Sequence, residues 1–309
     1  MAEPISDKSE TPSAVPIGAK LGWTDAMMLF TAVLFGSSFP FAKPMMPAMD
    51  PVFYAFSRYL LGALVIFAVL KLRGYKLGLG TADRKLLLLC CIVFATFQAD
   101  WAFTLSRSNA SVGAIFMATS PIFGALLASL AGHRLRPIAW LGIFLAFCGV
   151  LLVINNSLSE VTVTFGSLFI DFLWLVNSCL WAFYVARSPR LIASLGPARM
   201  FAWVMLISAV LLAPLGLWGG LHMDWPNFPH SLWLNFLYTA LITGALASTF
   251  WNIGMKRLGI TRTMIYMYLV PIFAVTIAVI FLGEPLTVAR TLGGVAVLTG
   301  IYITRRAAS

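Results

Sequence analysis

Charged residues are scarce in this chain. They make up 10% of it, against roughly 25% in a soluble globular domain. Apolar residues make up 60%, and they come in runs of about 20 residues, the length that a helix needs to cross a bilayer. This composition excludes an ordinary soluble domain and predicts an all-α integral membrane protein with several spans.

Histidine and cysteine are also rare, with 3 and 4 residues. The cysteines lie within the apolar runs without the spacing of a metal site, and the histidines have no arranged acidic partner beyond Asp224. The sequence also lacks a phosphate-binding glycine loop and a nucleophile elbow. We therefore predict no metal, no cofactor, no catalytic residue and no coupling to ATP hydrolysis.

Acidic residues number 11 against 21 Lys and Arg, which leaves a net charge of +10. In a membrane protein such an excess marks the loops that stay in the cytoplasm. The basic residues lie in short loops rather than in one patch, so no nucleic-acid partner is expected.

The most informative pattern present is an internal duplication, in which the segment 101–128 recurs at 251–278. The identical pairs are Trp101/Trp251, Arg107/Arg257, Ile115/Ile265, Met117/Met267, Pro121/Pro271, Ile122/Ile272, Phe123/Phe273 and Ala128/Ala278. Duplicated halves are typical of transporters, because two similar bundles that rock about a shared axis give alternating access to a central site.

The apolar runs predict ten transmembrane helices. These are 23–42, 51–71, 85–106, 109–131, 137–154, 166–187, 198–219, 231–255, 260–282 and 286–304. The preceding segment, 1–20, has no apolar core of signal-peptide length and is expected to form a disordered, uncleaved tail.

The distribution of basic residues predicts the orientation. Most of the Lys and Arg residues fall in alternate loops, whereas the opposite loops hold only Lys43 and Arg107. Both termini are therefore expected in the cytoplasm. Because each copy holds five spans, the copy at 166–309 should be inverted relative to the copy at 21–155, with an extracytoplasmic linker at 156–165. Such a pair places the substrate site near the membrane midplane, between the halves.

Five features of the sequence are considered together: the run 35–43 (FGSSFPFAK), Arg58, 120–123 (SPIF), 271–273 (PIF) and 282–286 (LGEPL). With them the chain resembles the drug/metabolite transporter superfamily, specifically its EamA type. The resemblance covers residues 24–304, and in general build the chain is similar to the aromatic amino-acid exporters of bacteria. It implies two inverted five-helix repeats around a central cavity, in a bacterial inner membrane. The first copy departs from the family at Gly132-His133, where Gly-Glu is usual.

Pro121 and Pro271 fall near the middle of their predicted spans. A proline there removes an N–H and frees a carbonyl about one turn earlier, near Met117 and Met267. The freed carbonyl has to face protein or a watery cavity. Both a packing kink and a helix-kink or gating role beside the cavity are open interpretations.

Four repeated glycines are predicted to pack helices together. Gly142 and Gly149, with their counterparts Gly293 and Gly300, lie on one face of the fifth and tenth spans. Small residues let another helix approach closely, within the chain or in a homodimer.

Arg58 and Asp100 are expected at the same depth in spans two and three, roughly 10 Å from the outer ends at 1.5 Å per residue. An unpaired charge there is expensive, so the two are expected to meet. One interpretation is a structural ion pair. The other is a substrate site in which Arg58 binds a carboxylate and Asp100 binds an ammonium group. Asp25, Asp171 and Glu284 stand near the starts of spans and are expected to stabilise helix ends.

Aromatic and amide side chains are expected to complete an apolar pocket with few polar groups. The candidate substrate-binding residues are Arg58, Gln98, Asp100, Trp101, Asn177, Trp181, Tyr184, Trp251 and Asn252.

The leading functional hypothesis is a secondary exporter of amino acids or similar small amphipathic metabolites, since an amino acid carries both groups that Arg58 and Asp100 would bind. The alternatives are a drug or metabolite antiporter driven by protons, an exchanger of organic phosphates or nucleotide sugars, and a membrane sensor or lipid-handling scaffold. Asp100 is the deep carboxylate available for proton coupling. If it stays paired with Arg58 it stays ionised, and facilitated diffusion becomes the simpler expectation.

Overall fold

The computed structural model describes residues 22–80, 82–130, 137–155 and 165–308. All regular structure in these ranges is helical, as the composition predicts. The expected tail at 1–20, most of the linker at 156–165 and the Gly132-His133 pair lie outside the described residues.

The α-helices are numbered in chain order. They are α1 (Trp23–Ala42), α2 (Pro51–Leu72), α3 (Arg84–Arg107), α4 (Ala110–Met117), α5 (Ser120–Leu130), α6 (Pro137–Asn155), α7 (Phe165–Leu195), α8 (Pro197–Leu221), α9 (Leu232–Leu237), α10 (Ala247–Ile265), α11 (Val270–Leu282) and α12 (Val288–Ala308). Three shorter segments have other windings: 3₁₀ turns at Lys43–Met45 and Tyr266–Leu269, and a π-helical segment at Tyr238–Leu246 that joins α9 to α10.

Within the described ranges, eight helical stretches are long and apolar enough to cross a membrane. They are Trp23–Met45, Pro51–Leu72, Arg84–Arg107, Ala110–Leu127, Leu168–Leu195, Pro197–Leu221, Leu232–Ile260 and Arg262–Leu282. Two shorter apolar stretches, Pro137–Val153 and Val288–Ile303, coincide with the fifth and tenth expected spans. Each of the ten predicted spans therefore falls on helical structure, and the fold is that of a helical integral membrane protein.

The helix starts follow capping signals in the sequence. The Oδ1 atom of Asp50 accepts hydrogen bonds from the backbone N–H groups of Val52 and Phe53, at 2.9 and 2.8 Å. It thereby satisfies two donors that the start of α2 leaves open. Asp83 caps α3 in the same way. These caps fix where α2 and α3 begin, and so the depth of the side chains that they carry.

The repeated glycines bring α6 against α12. A Cβ atom added at Gly149 would lie 2.6 Å from the carbonyl oxygen of Gly293 and 2.7 Å from the backbone nitrogen of Val297. Gly300 faces the backbone of Gly142 in the same way. The prediction that these glycines pack helices together is confirmed, and the contact lies within the chain.

The other helices of the bundle also pair. The helix α2 packs on α8, α3 on α7 and α1 on α11. A Cβ atom added at Gly36, in α1, would lie 2.7 Å from Phe273 and 2.8 Å from the carbonyl oxygen of Val270. This close contact holds α1 against the start of α11, beside the candidate site.

Two helices are interrupted at equivalent positions of the duplicated pattern. The helix α4 ends at Met117 and α5 begins at Ser120, while the 3₁₀ turn Tyr266–Leu269 precedes α11. Pro121 and Pro271 are the second residues of α5 and α11, where a missing N–H is tolerated. Each interruption thus lies about one turn before its proline, near Met117 and Met267, where the sequence predicted that a carbonyl is freed. A gating role for the prolines stays a prediction.

Candidate functional site

A cavity of about 70 Å³ lies where α1, α2, α3, α4 and α7 meet the segment that runs from the π-helical stretch to α11. Aromatic side chains are seven of its fifteen lining residues. Its polar side chains are Ser38, Arg58, Gln98, Thr243 and Ser248. An apolar wall with a few polar groups is typical of sites that bind small molecules.

Both interruptions reach this cavity. Met117, at the end of α4, and Met267, in the 3₁₀ turn before α11, are equivalent in the duplication, and both line the wall. The carbonyl oxygen of Phe116 accepts hydrogen bonds from the hydroxyls of Ser178 and Thr119, at 2.8 and 2.7 Å. Side-chain hydroxyls thus satisfy a backbone carbonyl beside the first interruption, so hydrogen bonds within the protein stabilise this part of the break.

Four of the nine candidate residues line the cavity: Arg58, Gln98, Trp101 and Trp181. Two further candidates pack behind Trp181. Its ring centroid lies 5.7 Å from that of Tyr184 and 6.0 Å from that of Trp251. They support the aromatic wall without forming it.

The other three candidates, Asp100, Asn177 and Asn252, do not line the cavity. The amide nitrogen of Asn177 donates to the carboxylate of Asp100 at 2.9 Å and to the carbonyl oxygen of Phe97 at 2.7 Å. Asn252 donates to the carbonyl oxygen of Ser248 at 2.7 Å. These amide groups bond within and between helices.

Arg58 is the charged side chain of the wall, and it is 5% exposed. Its Nε donates to the carbonyl oxygen of Thr239 at 2.9 Å, and its Nη2 lies 3.5 Å from the hydroxyl of Thr243. Its Cζ lies 5.6, 5.1 and 5.4 Å from the ring centroids of Tyr54, Tyr59 and Trp101. Such cation–π contacts stabilise a guanidinium in an apolar setting.

The expected ion pair between Arg58 and Asp100 is wrong. Arg58 reaches the π-helical segment, whereas Asp100 faces Asn177 on α7. Among the described residues, the salt bridge found joins Asp25 and Arg262 instead. Counting residues from the end of a span gives the depth of a side chain, but depth does not fix its direction around the helix axis.

Sequence reasoning missed the π-helical segment. Besides Thr239 and Thr243, it contributes Tyr238, whose hydroxyl lies 2.7 Å from that of Ser37. The hydroxyl of Thr243 also lies 3.3 Å from that of Ser38. The available signal was two threonines four residues apart in an apolar run. Segments with π winding occur frequently at functional sites.

One end of the bundle is held by Asp25, which is 4% exposed. Its Oδ1 atom accepts from Arg262 Nη2 and from the hydroxyl of Tyr266, each at 2.6 Å. Its Oδ2 atom accepts from the backbone N–H of Gly22 at 3.0 Å. The expected role at the helix start is confirmed, and the structure adds a link from α1 to the start of the span that contains α11.

The opposite end is held by Glu284, which follows α11. Its carboxylate accepts from the backbone N–H groups of Ala110 and Ser111, at 2.7 and 3.1 Å, and from the Ser111 hydroxyl. We expected it to stabilise the start of its own span, α12, and it caps α4 instead. Nearby, Lys43 Nζ donates to the carbonyl oxygen of Leu105 at 2.8 Å.

Comparison with known proteins identifies the family that shares this architecture. The model of the EamA-like transporter family matches residues 22–155 and again residues 168–306. An uncharacterized transporter of Archaeoglobus fulgidus is 26% identical over 282 residues, which cover 91% of this chain and 96% of that one. A probable amino-acid metabolite efflux pump of Salmonella typhimurium is 27% identical over 295 residues, covering 90% of this chain and 93% of its own.

One solved protein structure superimposes on this one with a TM-score of 0.67 at 18% identity, covering 89% of this chain and 94% of the other. At that identity the likeness concerns the fold alone. The relatives are named as transporters, which points to a transporter rather than an enzyme. Since the family model matches nearly the whole chain in two copies, the protein belongs to the EamA-like transporter family.

Proposed function

We propose that the protein is a secondary transporter that exports amino acids or similar small amphipathic metabolites across a bacterial inner membrane by alternating access. The observation that carries this proposal is the cavity, because Met117 and Met267, one from each interrupted helix, both line it. It lies between two ends of the bundle that Asp25 and Glu284 hold together. A shared site that can open at either end is what alternating access requires.

We further propose two inverted five-helix repeats, 21–155 and 166–309, around this cavity. The double match of the family model supports this architecture. Helix pairing supports it as well, since α2 packs on its counterpart α8 and α6 on its counterpart α12. Five spans in each copy are an odd number, so the second copy would enter the membrane inverted and both termini would share the cytoplasmic side.

Single cysteines at Ser9, Ser157, Asn227 and Ser309 test this orientation. In intact cells, a membrane-impermeant maleimide should label positions 157 and 227, and positions 9 and 309 only after permeabilisation. Labelling of position 9 but not of position 227 would contradict the inverted arrangement.

The cavity is small for its proposed role. Binding pockets for small molecules have volumes of roughly 300–1,000 Å³, whereas this cavity measures about 70 Å³. Helices must therefore separate at one end before a metabolite enters, and we assign the present conformation to a largely closed stage of the cycle.

Two alternative transport classes fit the cavity less well. An exchanger of organic phosphates needs several cations around a polyanion, whereas Arg58 is the cationic side chain among the described wall residues. A proton antiporter needs a carboxylate in the pathway, whereas Asp100 bonds to Asn177 away from the cavity.

Flux through proteoliposomes tests the function. Purified protein should accelerate the exchange of labelled amino acids or related metabolites across the vesicle membrane, and empty vesicles should not. Comparison with and without a pH gradient shows whether protons are coupled to the step. Binding of such molecules without any flux would instead favour a sensor or scaffold.

A further inference from the structure

The cavity contains a buried cation, Arg58, that has no acidic partner among the described residues. Arg58 donates to a carbonyl oxygen and approaches a hydroxyl, and three aromatic rings surround it. A buried charge in a membrane protein is stabilised best by an opposite charge. Neutral partners and ring faces compensate the guanidinium only in part, so its environment favours the arrival of an anion.

The two hydrogen bonds of Arg58 do not use all of its donors. A guanidinium carries five N–H donors, and the hydrogen bonds found here use Nε and Nη2. Neither bond engages Nη1. Carboxylates bind a guanidinium through two parallel hydrogen bonds, which also fix their orientation.

To an ammonium group the same cavity offers uncharged oxygen acceptors and ring faces, but no carboxylate among its described residues. Among the described residues that line it, none is an aspartate or a glutamate. The carboxylate of Asp100 accepts from Asn177 and stands outside the wall. An ammonium group near Arg58 would therefore meet a like charge without a carboxylate to offset it.

The rest of the wall suits an apolar body. Phe39, Phe97, Trp101 and Trp181 are all less than 10% exposed and line the cavity. Aromatic walls bury apolar surface and pack against flat or branched groups. The wall thus combines one charged group, Arg58, with aromatic surface and four uncharged polar side chains, Ser38, Gln98, Thr243 and Ser248.

From these contacts we propose that the substrate is an organic carboxylate with an apolar body and no ammonium group, bound through its carboxylate to Arg58. This assignment rests on the proposed transport function, and within its substrate class it selects amphipathic metabolites that lack an ammonium group over the amino acids. It replaces the expectation that Arg58 and Asp100 together clamp a zwitterionic amino acid.

Two series of matched probes test the proposal on the wild-type protein. The first consists of 3-phenylpropionate, phenylalanine and phenethylamine, and the second of 4-methylpentanoate, leucine and isopentylamine. Each series keeps one carbon skeleton and changes only the charged groups. Binding is measured by quenching of tryptophan fluorescence in detergent, since Trp101 and Trp181 line the cavity, and transport is measured by counterflow in proteoliposomes.

The carboxylate of at least one series should bind at least tenfold more tightly than its amino acid and its amine. Equal or tighter binding of the amino acid or the amine in both series would overturn the proposal, and so would absence of binding by all six probes. Transport of the amino acids alone would overturn it while leaving the proposed transport function intact. Selective binding of a carboxylate without any flux would uphold the site and count against transport.

Variants of Arg58 test whether this residue binds the carboxylate. Arg58→Gln should weaken binding of the preferred carboxylate at least tenfold, and Arg58→Lys should recover part of it because the charge returns. Arg107→Gln is the matched control, since Arg107 is exposed and stacks on Phe103 with its Cζ 3.8 Å from the ring centroid. Unchanged binding in a folded Arg58→Gln protein would contradict the assignment. If that variant does not fold, the comparison of probes on the wild-type protein decides.

Discussion

The two ends of the bundle are held by carboxylates whose partners differ in kind. Asp25 bonds to the side chains of Arg262 and Tyr266, whereas Glu284 bonds to backbone N–H groups at the start of α4 and to one serine hydroxyl. A side chain can leave its partner by changing rotamer. Backbone groups move only with their helix. Either carboxylate can itself change rotamer, so the two ends differ in their partners: those of Asp25 can leave as side chains, whereas the backbone partners of Glu284 move only with α4.

A single span takes part at both ends. The stretch Arg262–Leu282 begins with the partners of Asp25, carries Met267 into the cavity wall and ends just before Glu284. Because α1 also packs along α11, a displacement of this span at one end also displaces it at the other end. The following predictions test whether the two ends differ as their partners indicate.

Loss of the Glu284 carboxylate should have the largest effect on transport. Glu284→Ala leaves two backbone N–H groups of α4 without their acceptor, a loss of about 2 kcal/mol for the closed state at this end. That corresponds to a shift of roughly thirtyfold in the equilibrium between closed and open forms. Flux should fall by a similar factor, because alternating access requires this end to close.

Proteoliposome flux per folded molecule is the measurement for this change. Glu284→Gln keeps one acceptor oxygen and should retain an intermediate rate. Asp224→Ala is the control, since Asp224 is exposed and bonds to the neighbouring Asn227. If the Glu284→Ala protein has the flux of wild type, the prediction that the Glu284 end matters more for transport than the Asp25 end is wrong.

Loss of Arg262 should have a smaller effect. In Arg262→Gln, Asp25 keeps the Tyr266 hydroxyl and the Gly22 N–H, so the loss is about 1 kcal/mol and flux should fall about fivefold. Arg262 is 29% exposed, so this pair should also weaken in high salt. Wild-type flux measured at rising ionic strength should approach that of Arg262→Gln. Salt sensitivity that persists in the variant would assign it to another charge pair.

Restoring an N–H at the interruptions should slow transport moderately. Pro121→Ala and Pro271→Ala each allow a further backbone hydrogen bond across the break, which favours a continuous helix beside the cavity, and we expect flux to fall about threefold. Melting temperature should stay within a few degrees of wild type. Full flux in both variants would assign the prolines to packing alone.

A packing change between α6 and α12 should affect stability more than transport. In Gly149→Ala the new Cβ atom would press on the backbone of Gly293, and such overpacking lowers the free energy of unfolding by about 2 kcal/mol. Flux per folded molecule should remain that of wild type. Gly124→Ala is the matched control, because a Cβ atom there meets nothing within 4 Å. A selective loss of flux in Gly149→Ala would show that the α6–α12 contact moves during transport.

The sequence predicted the helices well because the evidence for them is local. Runs of apolar residues marked the spans, and the repeated glycines marked the α6–α12 contact. The duplicated prolines located both interruptions, which lie about one turn before them. Each of these features depends on residues near one another in the chain.

The site was harder to predict because it depends on the direction in which each side chain points from its helix. Arg58 and Asp100 were expected to meet, but they bond to different neighbours, Thr239 and Asn177. Glu284 was assigned to the nearest helix start, whereas it caps one that is far away in sequence. Periodicity locates a residue on its own helix, and the partner depends on how distant helices meet.

The winding of the π-helical segment Tyr238–Leu246 also sets the rotation of the helix that follows it, α10. Its winding fits more residues into each turn than α winding does, since its hydrogen bonds close larger rings. If this stretch rewound as an α-helix, the helix behind it would rotate about its axis and advance along it, as a screw does. Trp251 would then face a new direction. The winding of this short segment thus sets the direction around the helix axis in which the side chains of α10 point.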